Sequence, residues 1–432
     1  MPNIAPLWVD QADIADQVAR AVDTSADFNR HSPLFIPDSR RAWMRLVVAV
    51  LIGSLGSVGM WSVVVALPVV QGEFGVARGT ASLAFTLVML GFGIGQVVTG
   101  KISDRYGIVA AIGVGIGLLG LGYVGAGLSP AIWQYILMHF LIGLSSAATF
   151  GPLMAEASYW FERYRGLAVA IAASGNYIGG TIWPPMVNWG MQTYGWRATH
   201  IAIGIFTAVA MTLALMVLRM LMGAGTRRSH ANAPPPRIDL RLSTNALTAI
   251  LSLASIACCV AMSMPQVHIV AYCGDLGYGV ARGAQMLSLM LGFGIISRIG
   301  SGFLADKIGG IRTLLIGSIA QGSALLMYLF FDGLTSLYVI SAMFGLFQGG
   351  IVPSYAIIVR EAMPASEAAT RIGIVIFASV FGMSFGGWVS GVIFDATGSY
   401  GAAFLNGLAW NGLNITIMVG LLVRARQRLA MA

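Results

Sequence analysis

Arg298 lies inside a long apolar run and is the side chain in this sequence best suited to bind an anion. It stands eight residues before Asp306, where the run ends, so a helix would place it about 12 Å deep. A cation at that depth in lipid costs roughly 2.5–3.5 kcal/mol, so we expect it to face a wet cavity and meet an anion. The planar guanidinium can bind a carboxylate through two parallel hydrogen bonds. The alternative is a structural bond to a backbone carbonyl or a buried acid, but the sequence has no acid at that depth.

Two histidines and one aspartate in similar runs are candidates for carrying a proton. His139 lies eight residues inside the fourth run and could also donate to a bound solute. Its ordinary pKa is near neutrality, although a lone histidine on an apolar helix is more often a packing residue. His268 and Asp275 stand in the outer part of the seventh run and at its exit. For Asp275 the alternatives are a cap on the next segment or an ion pair with Arg282.

Three neutral polar residues fall at a similar depth and are candidates for binding the remainder of a solute. Asn176 lies eleven residues into the fifth run and could bind a hydroxyl of a 2-hydroxy acid. Gln348 in the tenth run and Ser379 in the eleventh are comparable. The alternative for all three is hydrogen bonding between helices, a common use of polar side chains in lipid.

Twelve apolar runs must position these residues. The chain of 432 residues is 57% hydrophobic and only 10% charged, against about 25% charged in soluble proteins. Each run is long enough to cross a bilayer core of roughly 30 Å, and in lipid such a run must be helical. We number the runs as spans 1 to 12, at about 45–70, 80–102, 108–128, 131–158, 165–192, 198–222, 245–271, 283–305, 311–331, 334–359, 371–394 and 399–423.

The spans fall into two groups of six, separated by a polar segment. The fold class predicted is an all-α membrane protein with two pseudo-symmetric six-helix bundles. The predicted parts are a cytosolic polar tail at 1–43, an N-terminal bundle at 44–222, a cytosolic linker at 223–243, a C-terminal bundle at 244–424 and a cytosolic C-terminus at 425–432. The prolines and arginines of the linker support this division.

The distribution of basic residues predicts the orientation. With both termini in the cytosol, 21 of the 25 Lys and Arg residues lie in cytosolic segments and three lie in outer loops. This asymmetry follows the positive-inside rule. The tail contains no apolar run that could act as a signal peptide. We therefore predict a multi-pass protein of the cytoplasmic (inner) membrane with both termini cytosolic.

The two groups of spans repeat each other in sequence. Phe74-Gly-Val-Ala-Arg-Gly79 reappears as Tyr278-Gly-Val-Ala-Arg-Gly283, and Gly91-Phe-Gly-Ile94 as Gly292-Phe-Gly-Ile295. A repeat with equal orientation implies a pseudo-twofold axis along the membrane normal. A solute site is then expected near the midplane, between the two halves.

The loops after spans 2 and 8 carry a motif that resembles the signature of the major facilitator superfamily. It reads Gly100-x-x-x-Asp104-Arg105-x-Gly107 and, in the second half, Gly302-x-x-x-Asp306-Lys307-x-Gly309. In the first copy Ile108 and Val109 follow where the family usually has further basic residues. The resemblance implies transport by alternating access.

Two further segments resemble the monocarboxylate transporter and oxalate/formate antiporter branch. They run from Tyr159 to Gly180 and from Val267 to Gly277, and the similarity covers about residues 44–424. In that branch an arginine in the eighth helix binds the substrate carboxylate, and Arg298 holds the matching position. Gly294 stands where animal members have an aspartate, which leaves proton coupling open. Span 11 has no cation beyond Arg371, which favours a monocarboxylate over a dicarboxylate.

The signature loops also predict a gate on the cytosolic side. Each loop aspartate could accept from the free amides at the start of a helix in the other half, where the helix dipole is positive. By pseudosymmetry we pair Asp306 with Arg165 and Asp104 with Arg371, and these contacts would favour the outward-open state. Plain solvation of the loops is the alternative. The predicted gating residues are Asp104, Arg105, Asp306, Lys307, Arg165 and Arg371.

The sequence therefore predicts a secondary transporter of a small organic monocarboxylate, with proton symport. Alternatives are carboxylate exchange and efflux of a drug-like solute. We expect neither an enzyme nor a signalling protein, because no cluster of catalytic groups and no added domain is present. Three cysteines at Cys258, Cys259 and Cys273 have no metal-binding spacing. We expect no cofactor, no metal and no nucleic-acid partner, and a functional monomer in the lipid bilayer.

Overall fold

The computed structural model describes residues 38–161, 164–222, 240 and 242–429, and within these ranges the chain forms helices without strands. Most of the predicted tail and linker lies outside these residues. All twelve predicted spans are present in the described part, and spans 1, 4 and 10 each consist of two helical segments. The helices are Arg40–Gly56 and Val58–Phe74 (span 1), Arg78–Tyr106 (2), Ile108–Gly127 (3), Ile132–Ala148 and Gly151–Trp160 (4), Arg165–Tyr194 (5), Trp196–Met222 (6), Thr244–Asp275 (7), Val280–Ile308 (8), Gly310–Phe330 (9), Leu334–Gln348 and Ile351–Ala362 (10), Ala365–Thr397 (11) and Tyr400–Leu429 (12).

Eleven of the spans, taken over the described residues, are long and apolar enough to cross a membrane. Span 5 is 30 residues long but is not among the eleven, because glycines, Asn176 and Pro184 lower its mean hydropathy. The chain is thus a multi-pass membrane protein. We keep the words outer and inner for its two ends, as the basic residues predict them.

The breaks in spans 4 and 10 were not anticipated by the continuous runs predicted at 131–158 and 334–359. They fall at Thr149–Phe150 and Gly349–Gly350, which are close to matching positions of the repeat. Each break is followed by a proline, Pro152 or Pro353. Proline has no N–H to donate and its ring clashes with the preceding turn, so it ends the upstream segment. The two prolines are the sequence signal for both breaks.

Within each half, neighbouring spans touch through their backbones at equivalent glycines. A Cβ placed on Gly143 of span 4 would overlap the carbonyl oxygen of Val88 in span 2, and a Cβ on Gly345 of span 10 would overlap that of Met290 in span 8. Small residues at these crossings allow the close helix packing that stabilises bundles in lipid.

The two halves meet along spans 2 and 11 and along spans 5 and 8. One apolar core contains residues of both halves, such as Phe85 and Val267. A second core lies at the inner end of the C-terminal half and contains residues of that half together with Leu240 of the linker. The inner parts of the facing spans have more room, because a Cβ at Gly100, Gly302 or Gly373 would meet open space.

Candidate functional site

Arg298 lies at the interface between the halves and contacts both of them. Its Nη1 group donates to the Ala173 carbonyl oxygen of span 5 at 3.1 Å, and its Nε group to the Gly349 carbonyl oxygen in the break of span 10 at 3.4 Å. The guanidinium carbon is 4.2 Å from the centroid of the Tyr177 ring. The side chain is partly buried, so it is held in place and keeps some exposure.

The break in span 10 explains why the Gly349 carbonyl is available. In an uninterrupted helix this oxygen would accept from the amide four residues later. That residue is Pro353, which has no N–H group. The carbonyl oxygen is therefore left without its helical donor and accepts from Arg298 instead.

The charge of Arg298 is not neutralised by the protein in the described part of the chain. Its contacts there are two carbonyl oxygens and an aromatic face. Within residues 38–161, 164–222, 240 and 242–429, no carboxylate pairs with it and its Nη2 group has no protein acceptor. A guanidinium held in this way can still bind an anion.

The three neutral polar candidates form their hydrogen bonds within their own halves. Asn176 Oδ1 accepts from Trp61 Nε1 at 3.1 Å, Gln348 Oε1 accepts from Gln266 Nε2 at 2.9 Å, and the Ser379 hydroxyl bonds that of Ser255. Asn176 and Gln348 directly precede Tyr177 and Gly349, the contacts of Arg298. The structure therefore brings these two residues near Arg298, and it places Ser379 in the packing between spans 7 and 11.

Two buried amide atoms beside this site lack a partner among the described residues. They are Gln348 Nε2 and Gln266 Oε1. An unsatisfied buried amide group costs free energy, about 1–3 kcal/mol in mutational data. A polar solute or water at this position would satisfy both atoms.

His139 lies apart from Arg298, and its predicted role in binding solute or a proton stays a prediction. It is fully buried inside the N-terminal half and packs against Tyr135, Trp196 and His200. Its Nδ1 atom bonds the Tyr135 carbonyl oxygen at 2.8 Å. Its ring packs against His200 of span 6 in the same half.

A second arginine, Arg78, joins the two halves at the outer end. It lies at the start of span 2 and forms an ion pair with Asp275 at the end of span 7. Its Nη1 group also donates to the Tyr400 hydroxyl at 2.7 Å, and its guanidinium carbon lies 4.2 Å from the centroid of the Phe394 ring. The Asp395 carboxylate accepts from the amides of Arg78 and Gly79 at 2.9 and 2.6 Å.

The two outer candidates for proton coupling belong to this same network. Asp275 pairs with Arg78 and not with Arg282, whose Nη1 group donates to Gln285. His268 is fully buried, with Nε2 2.8 Å from the Gly387 carbonyl oxygen and Nδ1 3.4 Å from the Tyr400 hydroxyl. Both residues therefore contact groups that hold the halves together.

The inner gating residues are partly described. Asp306 and Lys307 are exposed, and Arg105 lies 5.2 Å from the centroid of the Tyr106 ring. Arg371 pairs with Glu367 of its own helix at 2.9 Å. The side chains of Asp104 and Arg165 lie outside the description, so the pairs Asp104–Arg371 and Asp306–Arg165 stay predictions.

The sequence analysis missed the roles of Arg78, Tyr177, Asp395 and Tyr400. One signal was present, because Arg78 is part of the repeated Gly-Val-Ala-Arg-Gly motif. The second copy, Arg282, is exposed. The repeat thus draws attention to this arginine position, but it does not show which of the two arginines contacts the other half.

The sequence comparisons agree with a transporter. A sequence model described as Major Facilitator Superfamily matches residues 49–387 and 302–430. Monocarboxylate transporter 13 of Bos taurus is 26% identical over 337 residues, which cover 75% of this chain and 76% of the relative. The agnestins efflux protein AgnL12 of Paecilomyces divaricatus is 24% identical over 339 residues, which cover 76% of each chain.

Solved structures with the same fold are transporters as well. The crystal structure of the nucleoside transporter NupG superposes with a TM-score of 0.67 at 12% identity, over 88% of this chain and 99% of NupG. A bacterial homologue of the lysosomal transporter Spinster superposes with a TM-score of 0.64 at 14% identity, over 90% of this chain and 96% of the homologue. At these identities the likeness concerns the fold alone.

Proposed function

The chain belongs to the Major Facilitator Superfamily, and from this premise we propose that it carries a small organic monocarboxylate across a membrane by alternating access. Arg298 binds the carboxylate at the interface of the two halves. Proton symport accompanies transport, and the protein acts as a monomer. The membrane is the cytoplasmic membrane, with both termini in the cytosol.

One observation carries this proposal: Arg298 is anchored from both halves while its charge lacks an acidic partner in the described chain. Arg298 Nη2 is unused there, and a carboxylate would supply the missing acceptor. Charge-assisted bonds of this kind are roughly twice as strong as neutral ones. The 26% identical monocarboxylate transporter 13 supports the same solute class.

The class of solute is limited by the charged and polar groups of the C-terminal half. Span 11 offers no second cation in its middle, where Ala378, Ser379 and Val380 stand, which favours one carboxylate over two. Gln348 Nε2 would donate to a hydroxyl or keto oxygen on the same solute, and Gln266 Oε1 would accept from a hydroxyl. A short 2-hydroxy or 2-keto acid fits this set of groups.

We propose that the two ends of the interface open in turn. The outer network of Arg78, Asp275 and Asp395 closes one end in this structure. When it opens, the inner pairs Asp104–Arg371 and Asp306–Arg165 form and close the other end. Both sets place acids at the positive ends of helices of the opposite half, where the dipole stabilises them.

Proton coupling is assigned to the outer network. Opening separates Asp275 from Arg78, so the Asp275 carboxylate is left without its cation at the outer end. Tyr400, which contacts His268 within the C-terminal half, loses its bond to Arg78 in the same step. Proton uptake would then accompany exposure of Arg298 to the outside.

The test of solute binding is uptake of radiolabelled lactate or pyruvate into proteoliposomes. Arg298→Lys keeps the charge but loses the planar fork, and we expect uptake to fall to background while the protein still inserts. The matched control is Arg312→Lys, because Arg312 is an exposed arginine at the start of span 9. Undiminished uptake by Arg298→Lys would remove the carboxylate proposal.

The test of coupling compares two driving forces on the same vesicles. Symport predicts that an inwardly directed proton gradient accelerates lactate uptake. Exchange predicts no effect of the gradient and acceleration by internal lactate, a result that would replace symport with antiport.

Efflux of a larger apolar solute is the second candidate. It is favoured by the efflux protein among the relatives and by an apolar groove between spans 5 and 8, lined by Pro185, Leu289, Phe293 and Ile296. Binding of an uncharged dye that survives Arg298→Lys would favour efflux over carboxylate transport.

A further inference from the structure

We propose that Tyr177 is the positioning residue for the anion-binding group, and that Gly294 serves to admit its ring. This inference rests on the proposed role of Arg298. It assigns a span of the N-terminal half to a site whose charged group comes from the C-terminal half. The anion site is then complete only when spans 5 and 8 lie as they do here.

The contact between Tyr177 and Arg298 fixes the plane of the guanidinium. The guanidinium carbon is 4.2 Å from the ring centroid, within the distance at which a cation is attracted to an aromatic face. The Ala173 carbonyl oxygen, one helical turn before Tyr177, accepts from Nη1 at 3.1 Å. Ring and carbonyl together hold one face and one edge of the group, and they leave Nη2 for a solute.

Gly294 is the residue that lets the ring reach this position. It lies one turn before Arg298 in span 8 and is buried. A Cβ on Gly294 would be 2.5 Å from Tyr177 Cε1 and 2.7 Å from Cδ1. These distances are far below van der Waals contact, so any side chain at 294 must displace the ring. The ring itself is nearly buried, at 9% exposure, and has little room to move.

The residues that hold Arg298 come from opposite halves. Tyr177 and Ala173 belong to span 5, and Gly349 belongs to span 10. Any motion that separates spans 5 and 8 removes the ring and one carbonyl from the guanidinium. Anion affinity therefore depends on the arrangement of the two halves, which is what a carrier requires in order to release its solute.

The first test is a set of single substitutions measured by lactate uptake. Tyr177→Leu should raise KM about tenfold with the maximal rate largely kept, because the guanidinium loses its aromatic support. Tyr177→Phe keeps the ring face and should stay within about twofold of the parent. Gly294→Ala should resemble Tyr177→Leu. The control is Gly292→Ala, whose Cβ would meet Thr181 at an ordinary 3.5 Å.

The double variant Gly294→Ala/Tyr177→Leu distinguishes positioning from general damage. If Gly294 acts by making room for the ring, the two losses should not add, and the double variant should match Tyr177→Leu. Additive losses would overturn the proposal. So would a loss in Tyr177→Phe as large as that in Tyr177→Leu, because the hydroxyl and not the ring face would then matter.

A second readout needs no transported solute. Phenylglyoxal modifies accessible guanidinium groups, and mass spectrometry follows Arg298 in the purified full-length protein. Modification should be several-fold faster in Tyr177→Leu and Gly294→Ala than in the parent, Tyr177→Phe and Gly292→Ala. Equal rates in all five proteins would overturn the positioning role. Lactate uptake unaffected by Arg298→Lys would instead refute the proposed function, so the two failures are distinguishable.

Discussion

In the described part of the chain, two arginines cross between the halves, and their surroundings differ. Arg78 is almost fully buried, at 6% exposure, and its guanidinium contacts Asp275, Gln71, the Tyr400 hydroxyl and the Phe394 ring. Arg298 is partly exposed and contacts carbonyl oxygens and a ring. The difference indicates that the partners of an arginine at the interface determine whether it stabilises the interface or can bind a solute. An arginine whose guanidinium nitrogens all have protein acceptors holds the halves together. An arginine with a nitrogen left without an acceptor is available to a solute.

The largest effect on closure of the outer end is expected from Arg78→Gln, which removes the guanidinium that pairs with Asp275. Removing one partner of a buried ion pair typically costs 3–5 kcal/mol, and we expect about 3 kcal/mol because the Asp275 side chain is 39% exposed. The closed outer end loses this stabilisation. Ser82 is buried near Gly391 of span 11. With the reporter substitution Ser82→Cys, the cysteine should react at least tenfold faster with an impermeant maleimide when Arg78→Gln is also present.

The labelling needs a chain in which the three native cysteines are replaced by alanine. Arg197→Gln is the matched control, because Arg197 pairs with Glu73 at the outer end of the same half. If Arg78→Gln labels no faster than Arg197→Gln, Arg78 does not fasten the outer end.

Tyr400→Phe should have the next largest effect on the same label. It removes the hydroxyl that accepts from Arg78 at 2.7 Å and that lies 3.4 Å from His268 Nδ1. A hydrogen bond to a charged group contributes about 1.5–3 kcal/mol, and we expect the lower figure because Asp275 still pairs with Arg78. Labelling should accelerate less than in Arg78→Gln. A larger acceleration than in Arg78→Gln would mean that the Tyr400 hydroxyl, and not the ion pair, contributes most to closing the outer end.

Asp395→Asn weakens the bonds between Asp395 and the first amides of span 2. The carboxylate accepts at 2.9 and 2.6 Å from Arg78 and Gly79, but it is exposed. A charge at a helix end contributes typically 0.3–1 kcal/mol. We therefore expect a small acceleration of labelling that decreases in high salt, and an acceleration independent of salt would contradict the dipole argument.

The smallest effect is expected from Arg371→Gln at the inner end. In this structure Arg371 forms an i,i+4 pair with Glu367 at 2.9 Å, and such pairs contribute about 0.2–0.5 kcal/mol. Thermal unfolding of the solubilised protein should shift by about 1 °C or less. A shift of several degrees would mean that Arg371 already fastens the inner end here.

Much of the fold could be predicted because it depends on local sequence. Run length fixes the spans, and the repeat fixes the two halves. The depth of Arg298 follows from its distance to the end of its helix. The direction of a side chain around the helix does not follow from depth, which is why His139 was assigned to the site but packs against span 6.

The partners of Arg78 could not be predicted for a different reason. Asp275 and Tyr400 lie 197 and 322 residues away in sequence. Their contact with Arg78 exists only because the two halves close at the outer end, and no local pattern encodes that arrangement. Tyr177 was missed in the same way, since its approach to Arg298 depends on the space left by Gly294.

The backbone contacts at Gly143 and Gly345 have a consequence for movement. Two helices that touch main chain to main chain, with the oxygens of Val88 and Met290 filling the glycine gaps, cannot slide along each other without a collision. Within the proposed alternating access, we therefore expect spans 2 and 4 to move together, spans 8 and 10 to move together, and displacement to occur at the seam between the halves. The duplicated sequence thus has the same close crossing in each half.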